Sequence, residues 1–153
     1  MFKLTLLIFI VTIFGAVVES TVDAGISTRS AEAKGTLMCG NSPAAGVKVY
    51  LKRELSTDIE EIIGHSVTDD QGKFTVNGNT ERYGGSKSTI DPVLSFYHKC
   101  DKADAKSFQI FHLRFPRTYV TIGRISRRPY DIGTFNLQIK YPGQSEDKIA
   151  PDY

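Results

Sequence analysis

Tryptophan is absent from this 153-residue sequence, and cysteine and methionine occur only twice each. Two cysteines are too few for a disulfide-dense scaffold or a four-thiolate zinc site. Histidine occurs three times, as His65, His98 and His112, with none of the short spacings by which a chain grips a metal. The Asp-X-Asp-X-Asp-Gly pattern of a calcium loop is missing. The acidic stretch that includes Asp58, Glu60, Glu61, Asp69 and Asp70 does not replace it, because Asp69-Asp70 is explained by the turn it opens. No metal and no cofactor is expected. No nucleophile elbow or comparable catalytic signature occurs, so no enzyme is expected either. Asn41, Asn77 and Asn136 all fail the Asn-X-Ser/Thr pattern of a glycosylation acceptor. Excess charge is also scarce: 19 Lys and Arg face 17 Asp and Glu, a net +2, too weak a bias to argue for nucleic acid.

One apolar run stands out, at the N-terminus. Lys3 precedes Leu4–Val18, interrupted only by Thr5, Thr12 and Gly15. At about 15 residues it is short of the roughly 20 that span a bilayer. It fits a secretory signal peptide over residues 1–20, cut after Ser20 or alternatively after Ala24, with an uncut signal anchor as the competing reading. The remaining chain is then secreted and extracellular, with no further stretch of spanning length. In an oxidising compartment two cysteines form one disulfide, Cys39–Cys100, or stay as two buried free thiols. A bridge would close a loop of roughly 60 residues, worth about 4 kcal/mol by chain entropy.

The body of the chain reads as short strands and turns. Ile90–Cys100 is the central stretch: Pro92 marks a strand start, and alternation then separates Leu94, Phe96, His98 and Cys100 from Val93, Ser95, Tyr97 and Lys99. After a polar lead over 21–32, strands are expected over 33–39, 47–52, 61–68 and 73–76. An acidic loop is expected over 57–61 and a hairpin turn at Asp69–Gly72. Residues 77–89 read as a loop. Later strands are expected at 107–115, at 119–122 and at 133–140, the last with Phe135, Leu137 and Ile139 inward. The tail from 142 to 153 is polar and reads as flexible. With no convincing helical period, these observations predict one all-β domain over 33–141, a β-sandwich of seven to eight antiparallel strands.

Several segments together resemble the nematode transthyretin-like family of secreted proteins. They are Gly35–Cys39 with Pro43-Ala44 and Val47–Leu51, then Thr68–Phe74, then Ile90-Asp91-Pro92 with His98-Lys99-Cys100, and finally Tyr130–Leu137. The resemblance covers roughly 33–140, and its Asp-Pro…His-X-Cys and Tyr-Asp-Ile-Gly-Thr pieces are the specific ones. It implies a prealbumin-type sandwich of two antiparallel sheets. The family commonly carries two more cysteines, which would fall around Ser107 and within Ser145–Lys148; their joint absence here implies that Cys39 and Cys100 are the remaining bonded pair. The fold also occurs in 5-hydroxyisourate hydrolase, but that enzyme's C-terminal Tyr-Arg-Gly-Ser is absent from the ending Ala150-Pro151-Asp152-Tyr153. What the resemblance implies is an extracellular binding or bridging role.

For a ligand, the sequence offers one cluster. Arg114, Arg117, Arg124, Arg127 and Arg128 crowd one region with Tyr119 and Tyr130 close by. A solvated strand and loop face is the plainer account; the functional one is contact with phosphate or carboxylate head groups, with Arg124, Arg127 and Arg128 as the candidate residues. The partners to weigh are anionic phospholipid head groups and a cell-surface receptor. A carrier of a small apolar ligand, in a cavity or an oligomer channel, is the alternative. Open sheet edges leave a homo-oligomer among the options.

Overall fold

The computed structural model describes residues 27–153 except 57, 58 and 84–88. The expected signal peptide and cleavage sites therefore lie outside the described residues. In chain order the strands are β1 (Arg29–Cys39), β2 (Ser42–Pro43), β3 (Lys48–Ser56), β4 (Ile59–Val67), β5 (Lys73–Asn79), β6 (Pro92–His98), β7 (Phe108–Arg114), β8 (Thr121–Ile122), β9 (Tyr130–Asn136) and β10 (Ser145–Asp147). They form a two-sheet, all-β sandwich. The first sheet is built on β1, which pairs β5 and β2 along one edge and β8 and β9 along the other; the second runs β10-β7-β6-β3-β4. Every pair is antiparallel except β1 with β9, which run parallel. A parallel neighbour needs a long crossover, and the chain makes one through β6 and β7 before returning.

Between the sheets the inward faces interlock. Leu37, Val49, Leu51, Leu94 and Phe96 have no exposed surface. The Phe96 ring meets Phe74 edge-on at 5.8 Å and stacks toward Phe111 at 6.2 Å and Phe135 at 6.4 Å. Burying one such ring is worth roughly 2–3 kcal/mol.

Strand β6 departs from simple alternation, because all seven of its residues are buried. Its outer face lies in a second apolar cluster of Tyr50, Tyr97, Ile110 and Ala150. That cluster exists because the C-terminal segment does not hang free, as its polarity suggests, but lies along the second sheet. Strand β10 pairs β7, Ala150 is buried, and the Tyr50 hydroxyl donates to the Pro151 carbonyl at 2.7 Å.

Three local expectations are corrected. The Asp69–Gly72 turn forms, with Asp69 Oδ1 accepting from the Gln71 and Lys73 amides at 2.9 and 2.8 Å. It joins β4 to β5 across the two sheets, so it is a corner and not a same-sheet hairpin. Gly72 has φ +73°, and a Cβ there would sit 2.2 Å from the Leu37 carbonyl oxygen, so only glycine fits. The strand expected from residue 61, β4, starts at Ile59, which shortens the expected acidic loop. Finally, β9 ends at Asn136, whose side chain accepts from the Gly40 and Gln138 amides at 3.0 and 3.1 Å. The turn it nucleates leaves Leu137 buried but turns Ile139 out to 54% exposure, against its expected inward position.

Candidate functional site

The crossover between β7 and β9 carries the arginines. A single 3-10 turn, Arg117–Tyr119, leads into β8, which pairs Ile122 with Arg29 and Thr121 with Ser30 at the start of β1. Gly123 then turns the chain at φ +104°, its amide donating to the Thr28 carbonyl at 2.9 Å. The Thr121 hydroxyl accepts from the Arg127 amide at 3.2 Å and closes the loop on itself. Beneath it Tyr130 stacks on Phe115 at 4.9 Å and meets Tyr119 edge-on at 4.8 Å, a rigid aromatic base.

The structure divides the five arginines. Arg114 pairs with Glu54 and Arg117 with Asp91, and the Arg117 hydrogen bond holds the Asp91 carboxyl below its usual range. Those two are occupied. Arg124, Arg127 and Arg128 share one exposed loop. Arg124 reaches Glu81 at 2.7 Å, while Arg128 lies over the Tyr119 ring at 5.3 Å. Among the described residues neither Arg127 nor Arg128 has a carboxylate partner. Within the same loop Ile122 is 63% and Ile125 80% exposed. Isoleucines this exposed, in one loop with two arginines that have no carboxylate partner among the described residues, were not singled out from sequence. The signal was available in the order Ile-Gly-Arg-Ile-Ser-Arg-Arg over 122–128, but there Ile122 reads as an ordinary strand residue.

The outer face of the second sheet holds a polar cluster. Ser95 and His112 Nδ1 lie 2.8 Å apart, and the buried Lys52 ammonium reaches Glu60 at 2.9 Å. A serine against an imidazole is the arrangement of an activated nucleophile. Ser95 has no exposed surface, however, so no substrate carbonyl can reach it. His112 is exposed as a residue, but partial desolvation of its ring, with Lys52 and Arg114 nearby, holds its pKa below the ordinary value against the pull of Glu60. His98 stays in the core, accepting from the Cys100 amide at 3.3 Å, and His65 packs on Tyr153. The three histidines do not converge.

The Cys39–Cys100 disulfide is formed, with Cα atoms 5.6 Å apart. It ties the end of β1 in the first sheet to the segment just after β6 in the second.

The transthyretin-like family profile matches residues 34–116. Transthyretin-like protein 46 of Caenorhabditis elegans is 32% identical over 129 residues, covering 83% of this chain and 70% of that protein. Transthyretin-like protein 33 of the same organism is 33% identical over 123 residues, covering 80% of this chain and 83% of its own. Transthyretin-like protein 2 is 31% identical over 124 residues, covering 77% and 81%.

Proposed function

The chain belongs to the transthyretin-like family, and from that premise we propose that it is an exported, extracellular binding module without catalysis whose 122–128 loop engages an anionic lipid surface. Residues 1–20 serve as the signal peptide, and the sandwich is the rigid mount on which the loop is displayed. The observation that carries this reading is the pairing of exposed Ile122 and Ile125 with Arg127 and Arg128 on one loop.

Its physics is additive. An arginine near an anionic surface contributes about 1 kcal/mol, and burying an isoleucine side chain roughly 1.5–3 kcal/mol. Neither term alone holds a protein to a membrane against dilution; two of each add up to roughly 5–8 kcal/mol. Arg124 contributes less, since Glu81 already neutralises it. The inaccessible Ser95 and the scattered histidines support the non-catalytic reading.

The test is co-sedimentation with vesicles that differ only in phosphatidylserine content, at two salt concentrations. Binding that rises with the anionic lipid, weakens with salt and falls in Arg127→Ala/Arg128→Ala supports the proposal. Binding unaffected by those substitutions removes the loop from it, and no binding at either salt moves the role to a protein receptor.

A further inference from the structure

A second site lies at the other end of β1 from the arginine loop. The disulfide there borders a cleft of about 400 Å³, within the range that holds small ligands. Its walls are the 43–47 segment on one side and Tyr97–Cys100 with Phe108 on the other. The space exists because Ala44, Ala45, Gly46 and Ala103 present almost no side chain to it. Two kinds of polar group meet this apolar wall. His98 lines it while only 3% exposed. Its Nδ1 accepts from the Cys100 amide, which places the ring hydrogen on Nε2, and Nε2 has no partner among the described residues. The ammonium groups of Lys99 and Lys48 lie 5.0 and 5.8 Å from the centre of the same Phe108 ring.

Those two lysines stand out by sharing one ring, not by lacking a partner. Lys34, Lys52 and Lys102 each reach a carboxylate, but among the described residues Lys48 and Lys99 reach none, and neither do Lys73, Lys106, Lys140 and Lys148. Two cations drawn to one aromatic ring repel each other, and the ring's quadrupole offsets that only in part. Neither Asp101, nearby in sequence, nor Asp147, paired across from Phe108, lies within ion-pair distance of either lysine. A ligand anion held by both ammonium groups would relieve their repulsion, and the apolar wall suits a greasy body attached to it. We propose that this cleft binds a small amphipathic carboxylate, its apolar chain against Ala44, Val47 and Phe108 and its head group between Lys48 and Lys99. His98 supplies a hydrogen-bond donor deeper in the cleft, and the disulfide fixes the spacing of the two walls. The site stands independently of the arginine loop.

The experiment is titration of the oxidised, isotope-labelled protein with decanoate and, separately, with decan-1-ol, followed by amide chemical shifts. Decanoate is expected to shift residues 44–47 and 97–100 and to bind at least tenfold more tightly than the alcohol. Lys48→Met/Lys99→Met is expected to reduce decanoate affinity about tenfold and leave decanol unchanged. Ala45→Trp, a substitution at an exposed rim position, is expected to block both ligands without moving the melting temperature. The proposal is overturned if decanoate produces no shifts, if its shifts map elsewhere, or if its affinity survives the lysine double substitution.

Discussion

Gly64 on β4 and Gly78 on β5 oppose each other where the edges of the two sheets meet. A Cβ on Gly64 would lie 2.0 Å from the Asn77 carbonyl oxygen, and one on Gly78 would lie 2.3 Å from that of Ile63. Backbone touches backbone there, so no side chain can swing aside. Ile63 is the extra residue of a bulge opposite Leu51 and Lys52, and the bulge brings this edge against β5 while driving Ile63 into the core. Gly64→Ala and Gly78→Ala are each expected to destabilise the fold by about 3 kcal/mol, the upper end of overpacking costs. Urea denaturation measures this; a loss below half a kcal/mol would show that the edges do not meet.

Replacing both cysteines tests the tie between the sheets. The bond spans a sequence separation of 61, for which loop entropy gives about 4 kcal/mol. Cys39→Ser/Cys100→Ser is expected to lose stability of that order in chemical denaturation, and reductant is expected to do the same to the natural protein.

Acid should destabilise the fold before the carboxylates titrate. Burial holds the His98 pKa below its ordinary 6.5, against an opposing pull from Asp101, and His112 is likewise lowered. A histidine depressed in the folded state binds fewer protons there than in the unfolded chain, so its contribution is complete above about pH 6.5 and drains away as pH falls toward and through the lowered value. The lowered carboxyls of Asp91 and Glu60 follow the same sign, but from ordinary values of 3.8 and 4.5. The melting temperature is therefore expected to fall between pH 7 and pH 5, and His98→Gln is expected to flatten part of that slope. A profile level over this window would contradict the burial of the His98 ring.

The docked C-terminal segment gives a further check. Ala150→Asp places a charge in the cluster of Tyr50, Tyr97 and Ile110. Hydrogen exchange is expected to rise over 145–153 and along the outer face of β3 and β6, while the inner core stays protected. Unchanged exchange would mean that the segment does not cover that face.

How much of this was legible in the sequence depends on how local each determinant is. The start of β6 at Pro92 and the inward alternation of Val49 and Leu51 are written in adjacent residues and stand as read; the Asp69–Gly72 turn forms where the sequence puts it, but as a corner and not as a hairpin. That β6 is buried on both sides is not local, because the cover comes from Ala150 and Pro151. Nor can the turn reveal that its two strands enter different sheets; the Gly64–Gly78 contact decides that. The arginines show the same limit. Sequence proximity groups five of them, and only the fold brings Glu54 and Asp91 to Arg114 and Arg117, leaving Arg127 and Arg128 beside two exposed isoleucines.

The most direct test of the surface-binding account exploits the missing tryptophan. Ile125→Trp places a single indole reporter at the most exposed isoleucine among the described residues. Its emission is expected to shift to the blue on vesicles containing phosphatidylserine, to stay unshifted on phosphatidylcholine alone, and to lose the shift when Arg127→Ala/Arg128→Ala is added. Emission that stays at its aqueous position while the protein sediments with the anionic vesicles would contradict the account, since binding would then use another face.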